Sequence, residues 1–347
     1  MNNHGLRRTG AAAATASVKD IAIAHAAAPY IATYPWSSSG FGTKYADPFP
    51  TPTGNATSVA FSPSGTAIAV AHTTTPFISA YPWSSSGFGT KYANPATLPG
   101  TTQGNGVAFS PSGTALAVAH TTTPFISVYP WTGSAFGTKY ANPATLPAGV
   151  GNGVAFSPSG TAIAVAHTTT PFISAYPWTG SAFGTKYANP ATLPTGVGNG
   201  VAFSPSGTAL AVAHTTTPFI SVYPWTGSAF GTKYANPATL PAGNCQTVAF
   251  SPAGTDIAVA HATTPFVSVY PWSSSGFGTK YANPVTLPTN TGQSVAFSPS
   301  GTAIAVAHTT TPFISAYPWT GSAFGTKYAN PTTVPSDTGR SISFASY

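Results

Sequence analysis

The sequence contains no glutamate and only four aspartates, Asp20, Asp47, Asp256 and Asp337, and charged residues make up 4% of its 347 positions, against roughly 25% in an ordinary soluble domain. Paired carboxylates for general acid–base work and carboxylate-rich calcium cages are therefore largely excluded. The single cysteine, Cys245, allows neither an intrachain disulfide nor a thiolate metal site, and it leaves the redox compartment open. No run approaches 18 consecutive apolar residues, so a membrane-spanning helix is excluded. A glycine-rich phosphate cradle ahead of a helix is missing as well, since Gly-Asn-Gly falls between strand-like segments. Serine, threonine and histidine are plentiful, but the acids do not recur with them, so no catalytic residue is assigned. Glycine and proline, 35 of each, point to a chain dominated by turns.

What is present is a repeat. The unit VAFSPSGTAIAVAHTTTPFISAYPWTGSAFGTKYANPATLP recurs seven times, with histidines at His25, His72, His120, His167, His214, His261 and His308, spaced by 47 or 48 residues. Periods of this length mark solenoids, propellers and arrays. In the second unit four short segments, Val59–Ser62, Ala67–His72, Phe77–Tyr81 and roughly Thr90–Asn94, are separated by Ser-Pro-Ser-Gly, Thr-Thr-Thr-Pro and Ser/Gly turns. Four strands in such a unit predict a propeller blade. Helix is disfavoured because a 3.6-residue period is absent and proline interrupts the chain repeatedly.

Strand alternation predicts how the blades pack. Val59, Phe61, Ile68, Val70 and His72 share a bulky face, while Ala60, Ala67, Ala69 and Ala71 share a small one. Both faces are apolar and must both be covered, which fits blades stacked large face to small face, head to tail. The first unit lacks a good leading strand, and TGRSISFASY at the end aligns with TGQSVAFS. Residues 341–346 are thus expected to complete the first blade and close the ring. The reading is an all-β, seven-bladed β-propeller of four-stranded antiparallel blades over residues 17–347, preceded by a basic, alanine-rich arm over residues 1–16. Arg7, Arg8 and Ala14-Thr15-Ala16 faintly imitate a secretion signal, but the apolar stretch is short and has no Leu, Ile or Val.

The VAFSPSG turn followed by an apolar strand and a strand ending YPW resembles the WD-repeat-like class of seven-bladed propellers, with SPSG where that class usually has SPDG. The resemblance covers nearly the whole chain. It departs from the class at the tryptophan, which is preceded by proline and followed by serine or threonine. The AHTTTPFISVYPW and GFGTKYANPATLP segments are similar to repeats of tailed-phage virion proteins and of uncharacterised bacterial propellers, which implies a structural role.

Three repeated side chains are candidates for function. The seven histidines close a strand on an apolar face and read as hydrogen-bonded structural groups, since copies one blade apart do not converge on one metal ion. No metal or cofactor is expected. Trp36, Trp83, Trp131, Trp178, Trp225, Trp272 and Trp319 either pack between blades or offer faces for sugar stacking, a weak site repeated for avidity. Lys44, Lys91, Lys139, Lys186, Lys233, Lys280 and Lys327 spread the charge around the circumference, which guards an outer edge and does not favour nucleic acid. The segments joining one unit to the next, TPTGNATS, PGTTQGNG, PAGVGNG, PTGVGNG, PAGNCQT, PTNTGQS and PSDTGRS, vary while the strands barely change. Loops on a rigid scaffold are where binding tends to sit, and this variation reads equally as recognition or as neutral drift. These observations together lead to an expectation of a non-enzymatic structural or adhesion component, foremost of a virion, on a particle or extracellular surface. Leu6, Arg7 and Arg8 would dock on other structural proteins, with no membrane insertion. A carbohydrate-binding propeller, meeting cell-surface glycans, and a WD-type interaction scaffold are the alternatives.

Overall fold

A computed structural model describes residues 19–345, and among these every regular element is a strand, grouped into seven antiparallel sheets. The second blade shows how the sequence makes each sheet. Its inner strand Ala56–Phe61 and middle strand Ala67–His72 are joined by Ser-Pro-Ser-Gly, in which Gly65 takes the left-handed conformation (φ 67°) and its N–H donates to the Ser62 carbonyl at 2.8 Å. The Ser62 hydroxyl caps the turn by accepting from the Ala67 amide at 3.0 Å. The third strand is Ile78–Ser84. It begins one residue after Phe77, which has a left-handed φ of 69°, costly for an aromatic residue and repeated at Tyr30 and five other phenylalanines.

Large faces meet small faces at every seam described. Ala67, Ala69, Ala71, Ile78 and Ala80 of the second blade pack against Val107, Leu116, Val118, Tyr129 and Trp131 of the third. Ala22, Ala24 and Ile31 of the first blade pack in the same way on Val59, Ile68, Val70, Tyr81 and Trp83 of the second. The middle strands of the second to seventh blades are buried on both faces along their whole length, as expected of a sheet covered on both sides.

The outer strand differs from the expectation. In place of Thr90–Asn94, the fourth strand is only Gly87–Phe88, with Trp83 opposite Phe88. Blades with Ser-Ser-Ser-Gly-Phe keep this two-residue strand because the glycine (Gly40, Gly87 or Gly276) supplies a φ near 100°. Blades with Thr-Gly-Ser-Ala-Phe retain a single bridge, such as Trp131 to Phe136. The following Thr-Lys-Tyr-Ala segment leaves the ladder after Tyr92, whose N–H donates to the Ala80 carbonyl at 2.9 Å, and Tyr92 then reaches the next blade's Trp131.

The C-terminal strand Gly339–Phe344 is hydrogen-bonded to the first middle strand, Lys19–His25, with Ile342 opposite Ile23. Its Ser341 and Ser343 hydroxyls accept from the Val59 and Phe61 amides of the second blade, and its Ile342 amide donates to Ser294 of the seventh. The arm, with Leu6, Arg7 and Arg8, lies outside the described residues.

Candidate functional site

Every inner strand carries an irregularity at its second residue. In the second blade Ala56 pairs with His72 and Ser58 with Ala71, so Thr57 is left out of the ladder. Asn105, Asn152, Asn199, Gln246, Gln293 and Arg340 occupy the same bulged position in the other blades. A bulge re-aims the side chain of the extra residue. All seven residues line one cavity of about 540 Å³, which draws on all seven inner strands and so lies where they converge. That volume falls within the range of small-molecule sites, roughly 300–1,000 Å³.

The lining is polar and asymmetric. Asn105, Asn152 and Asn199 each donate a side-chain N–H to the first carbonyl of the next inner strand, at 2.8 to 2.9 Å, and Thr57 does the same with its hydroxyl at 2.6 Å. These bonds fix four side chains and tie neighbouring blades together at the axis. Gln246 and Gln293 make no such bond among the described residues. Arg340 is the one charged residue of the lining, and it has no carboxylate partner among the described residues. Its Nε is buried without a hydrogen-bond partner. Aspartate and histidine do not line the cavity.

The residues singled out by the repeat lie elsewhere. The seven tryptophans are 4 to 8% exposed. Trp83 is packed edge to face by Phe88, by Phe61 and by Tyr45 of the preceding blade, with ring centroids 4.9 to 5.4 Å apart. Trp36, Trp131, Trp178, Trp225, Trp272 and Trp319 sit in equivalent aromatic clusters. The indole faces are thus occupied by the seams. Two indoles have a buried acceptor, Trp83 Nε1 donating to Asp20 at 3.0 Å and Trp319 Nε1 to Asp256 at 3.4 Å, where other blades have alanine in place of the acid.

The seven histidines are fully buried in the seams. His72 Nε2 is 3.0 Å from Ser79 Oγ, and the pair recurs from His120–Ser127 to His308–Ser315. His25 lacks it because Ala32 stands where the other blades have serine, and neither ring nitrogen of His25 has a hydrogen-bond partner. Desolvation by burial lowers the histidine pKa values from 6.5 to about 4. Among the described residues no group of three His, Cys or Asp could hold a metal ion. The repeated lysines lie at the periphery, where Lys44 pairs with Asp47 and Lys91 bonds Asn94.

The axial residues were not singled out by the repeat, although the signal was present. Each variable connecting segment contains one of them, from Thr57 in TPTGNATS to Arg340 in PSDTGRS. The segments read as connecting loops in the sequence, whereas their last residues belong to the inner strands.

No family model matches the chain, and no curated protein matches it. Solved structures do. A Bacteroides fragilis protein provisionally named a 6-phosphogluconolactonase is 13% identical, with a TM-score of 0.75 over 96% of this chain and 99% of that one. The periplasmic gluconolactonase of Pseudomonas aeruginosa is 15% identical, with a TM-score of 0.70 over 95% and 99%. The β-propeller domain of Cps50 (Swd1) from Myceliophteria thermophila is 12% identical, with a TM-score of 0.60 over 84% and 91%. These likenesses show the fold: a seven-bladed, all-β propeller. The expectations of a virion or adhesion component and of a protein without enzymatic activity are overturned by the names of the Bacteroides fragilis and Pseudomonas aeruginosa structures, both matched along nearly the whole chain, which are lactonase names and not names of virion proteins.

Proposed function

We propose that the protein hydrolyses a small sugar lactone in its central cavity. One observation carries this reading: seven bulged polar residues converge on a cavity of about 540 Å³ that contains one guanidinium and no acid. The names of the two lactonase-type structures support the choice of substrate, and the lining supports the chemistry. Carboxamides of Asn105, Asn152, Asn199, Gln246 and Gln293 suit a polyhydroxylated ring, since each amide can both donate and accept.

In hydrolysis a water oxygen bonds to the lactone carbonyl carbon, negative charge develops on the carbonyl oxygen, and the ring C–O bond then breaks. The ring oxygen takes a proton to become a hydroxyl, and the new carboxylic acid releases one to solvent. Arg340 is placed to stabilise the developing oxyanion, an effect typically worth about 10²–10³ in rate for one donor. Because no histidine or carboxylate among the described residues lines the cavity, the attacking water is activated by solvent hydroxide. The rate should therefore rise with pH without the bell shape of a protein acid–base pair. Initial rates of glucono-1,5-lactone hydrolysis measure this directly. The full chain should exceed the buffer rate, and Arg340→Gln should lose roughly 100-fold in kcat. A rate equal to buffer across the pH range would refute the proposal.

A further inference from the structure

The wall of the cavity is not uniform, and we propose that it is built to retain a small polyhydroxy carboxylate. The carboxylate sits on Arg340, and the hydroxylated chain reaches the main-chain amides of Val154, Val201 and Val248. The choice of ligand rests on the hydrolytic reading, since this is the ring-opened product; the site itself rests on geometry. At four blade junctions a hydroxyl on the third residue of one inner strand accepts the amide of the next strand's fourth residue. Ser58 takes the Val107 N–H at 3.2 Å, Thr247 the Val295 N–H at 3.0 Å, Ser294 the Ile342 N–H at 3.2 Å and Ser341 the Val59 N–H at 3.3 Å.

At the other three junctions the third residue is Gly106, Gly153 or Gly200, which offers no hydroxyl. A Cβ on these glycines would stand 3.5, 3.5 and 3.6 Å from the amide nitrogens of Val154, Val201 and Val248. The amides that a serine would occupy thus meet no hydroxyl at these junctions, and all three valines line the cavity. They belong to the fourth, fifth and sixth blades, and Arg340 to the first. In a seven-membered order the fourth and fifth blades are the ones across from the first. One side of the cavity therefore carries a guanidinium without a carboxylate partner, and the far side carries donors for hydroxyl oxygens. A carboxylate gains a charge-assisted bond at Arg340. A neutral polyol meets only the amides.

The test is equilibrium binding of gluconate, glucitol and acetate to the full chain, followed by calorimetry or ligand-observed NMR. Gluconate should bind saturably, and glucitol and acetate about tenfold more weakly or worse, because each lacks one half of the recognition. Arg340→Gln, which installs the residue already present at Gln246 and Gln293, should weaken gluconate by about tenfold or more. Gly153→Ser, which sets a hydroxyl against the Val201 amide and a Cβ 3.0 Å from the Asn199 carbonyl, should weaken gluconate several-fold. Gluconate binding that is unaffected by Arg340→Gln, or glucitol binding as tight as gluconate, would overturn the proposal. Gluconate binding in the absence of lactone turnover would support this site while refuting the hydrolytic reading, so the two stand or fall separately.

Discussion

The seams between blades and the axis they surround are built from the same repeat, yet they obey opposite rules. At the seams sequence is held nearly constant: valine or isoleucine on alanine, a buried histidine on serine, and tryptophan boxed by tyrosine and two phenylalanines. At the axis one bulged position runs through Thr57, Asn105, Asn152, Asn199, Gln246, Gln293 and Arg340, changing character around the molecule. The seam is mostly apolar and buried, with histidine–serine pairs set into it, while the axis is polar. Repetition here accompanies the packed seams, and departure from repetition gathers at the polar axis, where the proposed ligand would bind.

The sharpest contrast is in acid. The seam histidines are neutral when buried, with pKa values lowered from 6.5 to about 4. The unfolded chain then binds more protons than the native one between those values, so stability is fully present above pH 6.5 and falls as pH decreases towards 4. Each histidine subtracts up to about 1.4 kcal/mol per pH unit, against a total of about 5–15 kcal/mol for a typical protein. Tryptophan fluorescence during acid titration should show cooperative unfolding complete before pH 4, and a native signal that persists to pH 3 would contradict the burial of neutral histidines. Arg340→Gln should leave this curve in place.

A smaller effect tests the seam one residue at a time. The first blade departs from the seam pattern twice, with Ala32 leaving His25 unpartnered and Thr33 carrying a buried hydroxyl without an acceptor where other blades have alanine or valine. Ala32→Ser and Thr33→Val each restore the repeat and should raise stability by about 1 kcal/mol, read as an increase in the urea midpoint. Loss of stability in both would show that the first blade packs by rules of its own.

The degree to which each region could be read from sequence follows from the same contrast. Blade number, strand order and large-on-small packing were legible because alternation and a 47-residue period register the same contacts seven times. Even the strand Gly339–Phe344 was visible as a displaced copy of an inner strand. The outer strand lies earlier than Thr90–Asn94 because the chain doubles back at Ser85–Ser86, and Phe88 meets Trp83 before the Thr-Lys-Tyr segment arrives. The site was hidden for a different reason. A bulge breaks alternation at a single residue, so Asn105 or Arg340 looks like the end of a loop until the ladder shows Ala24 opposite Ser341 and His25 opposite Gly339. The tryptophans drew attention by their regularity, and that regularity belongs to the seams.

The measurement that tests this division most directly is the thermal unfolding of the wild-type chain and Arg340→Gln, each with and without gluconate. If the seams hold the fold and the axis holds the ligand, the two proteins unfold at the same temperature when free, and gluconate raises the midpoint of the wild type alone. A free variant that melts several degrees lower, or one that gluconate still stabilises as strongly as the wild type, would contradict it.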